Sequence, residues 1–152
     1  MSAQTPVADP LRSVAERYVK LVLAVGQHDA DYVDAFYGPP EWRKQAEASK
    51  TPLATIDTQA AALEADLAKT GVTPPIKADA ELWGLRRQYL ARQLAAMRAR
   101  LGMLQGKKLT FDEESLALYD AVAPVKPESE FQAVLQQLEA RLPGEGSLIA
   151  RY

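Results

Sequence analysis

Cysteine is absent from this sequence of 152 residues, and histidine occurs once, at His28. The missing thiols exclude disulfide scaffolds, iron–sulfur sites, zinc fingers and cysteine nucleophiles. One imidazole cannot form a His-rich metal centre unless ligands arrive from elsewhere. Long apolar runs are missing too. The longest, Leu21 to Val25, falls far short of the roughly 20 residues needed to span a bilayer. Met1 to Pro10 lacks the basic and apolar regions of a secretory signal, so the expectation is a cytoplasmic chain with no membrane partner. A dominant sign of charge is likewise lacking: 18 Lys and Arg face 20 Asp and Glu, a net charge of -2. That balance does not favour nucleic acid as a partner, because dedicated binders are strongly basic.

What the chain does have is 47% hydrophobic and 25% charged residues. A chain of this size buries roughly 70% of its unfolded surface, enough for a core without staples. The apolar residues recur at helical spacing almost throughout, and no run alternates like a strand between hairpin turns. The expected fold is all-α, an irregular bundle of about six helices in a single domain over 1–152.

Asp9 before Pro10 is an N-cap followed by a favoured first helical residue, and Leu11, Val14, Ala15, Tyr18, Val22 and Val25 then form one stripe up to Gly26. A short second helix is expected from about Asp29 to Tyr37, stopped by a left-handed Gly38 and by Pro39. Pro40 restarts the chain as a helix to about Ser49. Pro52 opens another in which Leu53, Ile56, Ala60, Leu63 and Leu67 make a narrow seam. Thr73-Pro74-Pro75 reads as a rigid linker. A long helix is expected near 78–105, then a helix capped by Thr110 and Glu113, then one bearing Phe131, Val134, Leu135, Leu138 and Leu142. The stretch 143–152 is either the start of a next element capped by Ser147 or a plain tail.

Candidate chemistry concentrates between Gly26 and Trp42. Asp29, Asp31 and Asp34 suggest a calcium loop, but counting from Asp29 puts Val33 at the fifth place, Asp34 at the sixth and Pro40 at the twelfth, where the EF-hand needs oxygen, Gly and Glu. Asp29 fits better as an N-cap and Asp31 as a first-turn acid. His28 has no nucleophile beside it and sits where a helix C-terminus favours its charged form. Tyr32, Phe36, Tyr37 and Trp42 suit either a ligand wall or the packing of two short helices. Phosphate-binding Gly-rich loops are absent.

The long helix is read as having eight basic residues, Lys77, Arg86, Arg87, Arg92, Arg98, Arg100, Lys107 and Lys108, against Asp79 and Glu81. Such an excess either meets an acidic partner, RNA or anionic lipid, or pairs with acidic neighbouring helices. At about 100° per residue, Leu82, Leu85, Tyr89, Leu90, Leu94, Ala96, Met97, Leu101, Met103 and Leu104 cover about half the circumference. Arg86, Gln93 and Arg100, seven apart, fall inside that half. A desolvated guanidinium cannot be left unpaired, so each should reach a carboxylate or a set of carbonyls, or snorkel to an edge, with Asp31, Asp34 and Asp120 as the candidate partners. The line is either a structural ion-pair seam or an anion site facing a missing domain.

Three stretches, GQHDADYVDAFYGPPEW (Gly26 to Trp42), LRRQYLARQLAAMRARLGMLQGKKLTFDEESLALYDAV (Leu85 to Val122) and LPGEGSLIARY (Leu142 to Tyr152), together resemble the N-terminal helical region of large uncharacterised bacterial proteins regarded as zinc metallopeptidases. The resemblance implies a metal site much further along such proteins, in a helix of the HExxPGHH kind, where imidazoles bind zinc and a carboxylate activates water. No residue here matches that motif, so no catalytic or metal-binding role carries over. The implied role is a non-catalytic helical wall beside an active site that this chain does not contain. Its partner would be the remainder of the parent polypeptide, and any zinc would belong to that parent, with no cofactor in this chain. The alternative is a free-standing interaction module that uses the basic helix to bind an acidic partner or nucleic acid.

Overall fold

The computed structural model describes residues 9–71 and 80–152, which form seven α-helices with no strand among them. The fold is all-helical. Lys77, Asp79, the Thr73-Pro74-Pro75 linker and the first residues expected of the long helix lie outside the described residues. The chain divides into two compact units, Met1–Ala121 and Val122–Tyr152. Pro124 and Pro127 occupy the irregular stretch that opens the second unit.

In the first unit α1 (Pro10–Val25) begins as its sequence dictates, with the Asp9 carboxylate accepting from the Leu11 and Arg12 amides at 3.0 and 3.4 Å. It ends at Gly26, whose φ of -59° is ordinary. The glycine is needed for space: an added Cβ would lie 2.9 Å from a Val33 methyl where the chain doubles back. The expected helix from Asp29 to Tyr37 does not form. Only a short 3-10 turn, Ala30–Tyr32, is present, and the Asp29 side chain makes no cap. Gly38 is not left-handed either. The Phe36 ring lies over it, 2.5 Å from where a Cβ would stand.

Helix α2 (Pro40–Ser49) packs on α1 and ends at Lys50 in the left-handed region, φ 44°. Helix α3 (Leu53–Lys69) buries the expected seam: Ile56, Ala60 and Leu63 are fully enclosed and Leu67 nearly so. Helix α4 (Ala80–Leu104) runs against both α1 and α3, and α5 (Phe111–Tyr119) packs on α4. The Thr110–Glu113 capping box is complete, and the Thr110 amide and hydroxyl hold the Glu113 carboxyl below the usual carboxylate range, with Lys107 adding to this.

The buried face of α4 differs from the one its composition suggests. Trp83, Leu90, Leu94, Met97 and Leu101 enter the core, while Leu82, Leu85 and Tyr89 are exposed. At about 100° per residue the core residues share one narrow sector, and Leu82, Tyr89, Gln93 and Arg100 stand roughly a quarter-turn away. Trp83 can be buried because its indole N–H donates to the Gly71 carbonyl at 3.3 Å.

Charged residues clasp these helices from outside. Arg98 reaches Asp57 at 3.0 Å and Glu64 at 2.9 Å on α3, and the two carboxylates hold its pKa above the usual guanidinium value. Arg17 on α1 meets Asp66 on α3 at 2.7 Å. Arg92 meets Asp120 at 2.8 Å, and Arg100 is also paired. Three arginines of α4 are thus neutralised by their surroundings.

In the second unit α6 (Glu128–Arg141) turns through Gly144 and Gly146, both at positive φ, into α7 (Leu148–Arg151), which Ser147 caps at 3.3 Å. Arg151, almost buried, donates to the Leu142 carbonyl at 2.8 Å and pairs with the Glu139 carboxylate. It thereby satisfies a carbonyl that the helix end leaves free. Within 143–152 the structure thus has one short helix, tied to the end of α6 through Arg151. No helix of the described residues is long and apolar enough to cross a membrane.

Leu63→Ala should lower the unfolding free energy of the first unit by about 2–5 kcal/mol, read as a reduced urea midpoint. A loss within about 0.5 kcal/mol would remove α3 from the core. The second expectation concerns acid. Hydrogen bonds from Arg17 and then Lys69 hold the Asp66 carboxyl below its usual range. Its contribution is complete above the unfolded value of about 4 and is lost as the pH falls through the lower folded value. Asp66→Asn should therefore shrink the acid-induced fall in Tm and leave the slope above about pH 5 unchanged. Matching acid limbs in both proteins would contradict the clasp.

Candidate functional site

The Gly26–Trp42 segment and the flank of α4 meet in one cleft of about 420 Å³. α1 supplies Tyr18 and Val22, the 3-10 turn supplies Asp29, Asp31 and Tyr32, α4 supplies Gln93, Ala96 and Arg100, and α5 supplies Leu118 and Tyr119. A second hollow of about 520 Å³ adjoins it, sharing Gln93, Ala96, Leu118 and Tyr119 and adding Tyr89, Arg92 and Asp120.

Arg100 is the electrostatic centre of the first cleft. Its Nε and Nη2 donate to one Asp29 carboxylate oxygen at 2.8 and 2.7 Å, with side-chain exposures of 32% for Arg100 and 10% for Asp29. The Asp29 carboxylate thus meets α4 and caps nothing. Gln93 accepts the Tyr18 hydroxyl at 2.9 Å, joining α4 to α1. Burial, reinforced by the nearby Tyr32 and Tyr89 phenols, pushes the Tyr18 hydroxyl well above the ordinary tyrosine range. It therefore stays a neutral donor. Burial also raises Tyr32, with the Arg100 guanidinium opposing and the Asp29 carboxylate adding to the rise.

The expected polar line along α4 is therefore divided. Gln93 and Arg100 lie in the cleft, whereas Arg86 is exposed beside a separate hollow of about 300 Å³ with Asp9, Arg12 and Tyr89. The carboxylate on Arg100 is Asp29, not one of the three expected. Asp120 pairs with Arg92, Asp31 borders the cleft without an ion pair, and Asp34 is exposed. Asp29 and Arg100 are 71 residues apart, and the Asx-cap reading of Asp29 rested on a helix that does not form.

The other motif residues have different settings. The His28 ring Nε2 contacts the Thr51 carbonyl at 2.7 Å, tying the segment after α1 to the α2–α3 turn. Tyr37 is 97% exposed. Trp42 stacks obliquely near Phe36, with the Lys20 ammonium 4.9 Å from its ring centre. Tyr18, Tyr89 and Tyr119 of the cleft wall carry no local motif. Only helical register, together with knowledge of which helices are neighbours, could have selected them. Among the described residues no group of three His, Asp or Glu is placed to hold a metal ion.

No protein-family description, no curated protein and no solved structure matches this chain.

Arg100→Met strands a carboxylate that is nine-tenths buried, so it should cost about 1–3 kcal/mol in chemical unfolding. Arg86→Met, at an exposed position, should change stability by no more than about 0.5 kcal/mol. Equal small effects for both would mean that the Asp29 pair contributes nothing.

Proposed function

We propose that this chain is a non-catalytic helical domain, the N-terminal part of a bacterial metallopeptidase-like protein, whose apolar helix faces are covered by the remainder of that polypeptide. The observation that carries this reading is the apolar stripe of α6: Phe131, Val134, Leu135 and Leu138 recur at helical spacing and are 41–54% exposed. Leu82, Leu85 and Tyr89 repeat the pattern on the first half of α4. Full burial of such a side chain contributes about 1.5–3 kcal/mol, so a covering surface would gain substantially from each stripe. Exposed contiguous apolar faces mark interaction surfaces more often than idle ones. The resemblance of Gly26–Trp42, Leu85–Val122 and Leu142–Tyr152 to metallopeptidase-like proteins supplies the identity of the cover, and any zinc chemistry would belong there.

The competing picture, a basic helix that recruits nucleic acid, is weakened by the pairing of Arg92, Arg98 and Arg100 with carboxylates of this chain. Those charges are already engaged, and their counterions are internal.

Hydrogen exchange compares the chain of 152 residues with the product of the full reading frame. The amides of α6 should exchange about tenfold or more slowly in the longer protein. Equal exchange in both, or a reading frame with no HExxPGHH-type segment downstream, would overturn the reading.

A further inference from the structure

Four of the protein's 6 tyrosines border the two adjoining hollows beside α4. Tyr18 and Tyr32 line the first, Tyr89 the second, and Tyr119 both. The charges around them largely cancel. Arg100 is held by Asp29 and Arg92 by Asp120, which leaves Asp31 as the one lining carboxylate without an ion pair among the described residues. Aromatic faces carry negative potential, and a free carboxylate adds to it. An anion entering here would meet guanidinium groups already neutralised and would be repelled by Asp31. A cation would meet complementary charge, while Ala96 and Leu118 offer apolar surface to the stem that carries it.

The volume of about 420 Å³ falls within the range of small-ligand sites. The Tyr18 hydroxyl spends its proton on Gln93, so its oxygen remains free to accept a hydrogen bond from a bound N–H group. The geometry points to a binding site for an organic cation, an alkylammonium or guanidinium group on an apolar stem, between the 3-10 turn, α4 and α5. This inference is independent of the reading that other parts of a longer polypeptide cover α6, since every lining residue belongs to the first unit.

The test uses amide NMR spectra of the isotopically labelled chain titrated with four probes: butylguanidinium, its uncharged counterpart butylurea, butylammonium and butanol. Saturable shifts of the Tyr32, Ala96, Leu118 and Tyr119 amides are expected with a charged probe, with dissociation constants on the order of millimolar for such small ligands. A response to butylguanidinium alone assigns the site to guanidinium groups, and a response to butylammonium alone assigns it to amines. Asp31→Asn should weaken binding about two- to fivefold, and Tyr119→Leu by a similar factor of about two to five. Both residues are exposed, so the fold should survive, and circular dichroism checks this. Equal shifts from the uncharged counterparts, no saturation with either cation, or unchanged affinity in the double variant would overturn the proposal.

Discussion

The structure depends first on the seam between α3 and α4. Ile56, Ala60 and Leu63 on one helix and Leu94, Met97 and Leu101 on the other are fully enclosed. They alternate in size, with Ala60 allowing close approach between larger neighbours, as helices at coiled-coil-like spacing require. α1 closes the third side of this core with Leu11, Val14, Leu21 and Val25. Because dense packing leaves no freedom to rotate α4 about its axis, the residues a quarter-turn from the core have their directions fixed as well. Gln93 and Arg100 stand in that position, and the cleft is a consequence of the seam.

The polar contacts have a different role. Arg17–Asp66, Arg98 with Asp57 and Glu64, and Arg92–Asp120 lie at the rim, where each adds little stability in high dielectric. They join helices whose relative placement the apolar seam already fixes. Arg100–Asp29 is more enclosed, and breaking it strands a charge. It also ties the segment after α1 to α4: the Asp29 side chain makes no cap, and the chain from Val33 to Pro39 runs without helix.

The second unit obeys the same physics with less material. Gly144 and Gly146 take positive φ so that the chain can reverse, and Arg151 fills the space beside Gly144 while satisfying carbonyls at the end of α6. Arg151 Nε is buried there without a hydrogen-bond partner, and the apolar stripe of α6 stays open. A helix of this length draws most of its stability from packing, and this face receives little of it.

Local signals determined much of this protein. Asp9-Pro10, the Thr110–Glu113 box, Ser147, the prolines at 40 and 52, and the 56/60/63/67 seam each act within a few residues, and each appears where the sequence put it. Periodicity therefore yielded an all-helical chain and the boundaries that carry such local signals. It could not orient α4, because Leu82, Leu85 and Tyr89 are as apolar as the residues that enter the core, and only the positions of α1 and α3 decide between them. Nor could it pair Arg100 with Asp29 across 71 residues, since a carboxylate near a turn satisfies local rules for capping equally well. Helix formation is a short-range competition that sequence resolves. Which face is buried, and which charges meet, depends on free energies gained only when distant segments share a core.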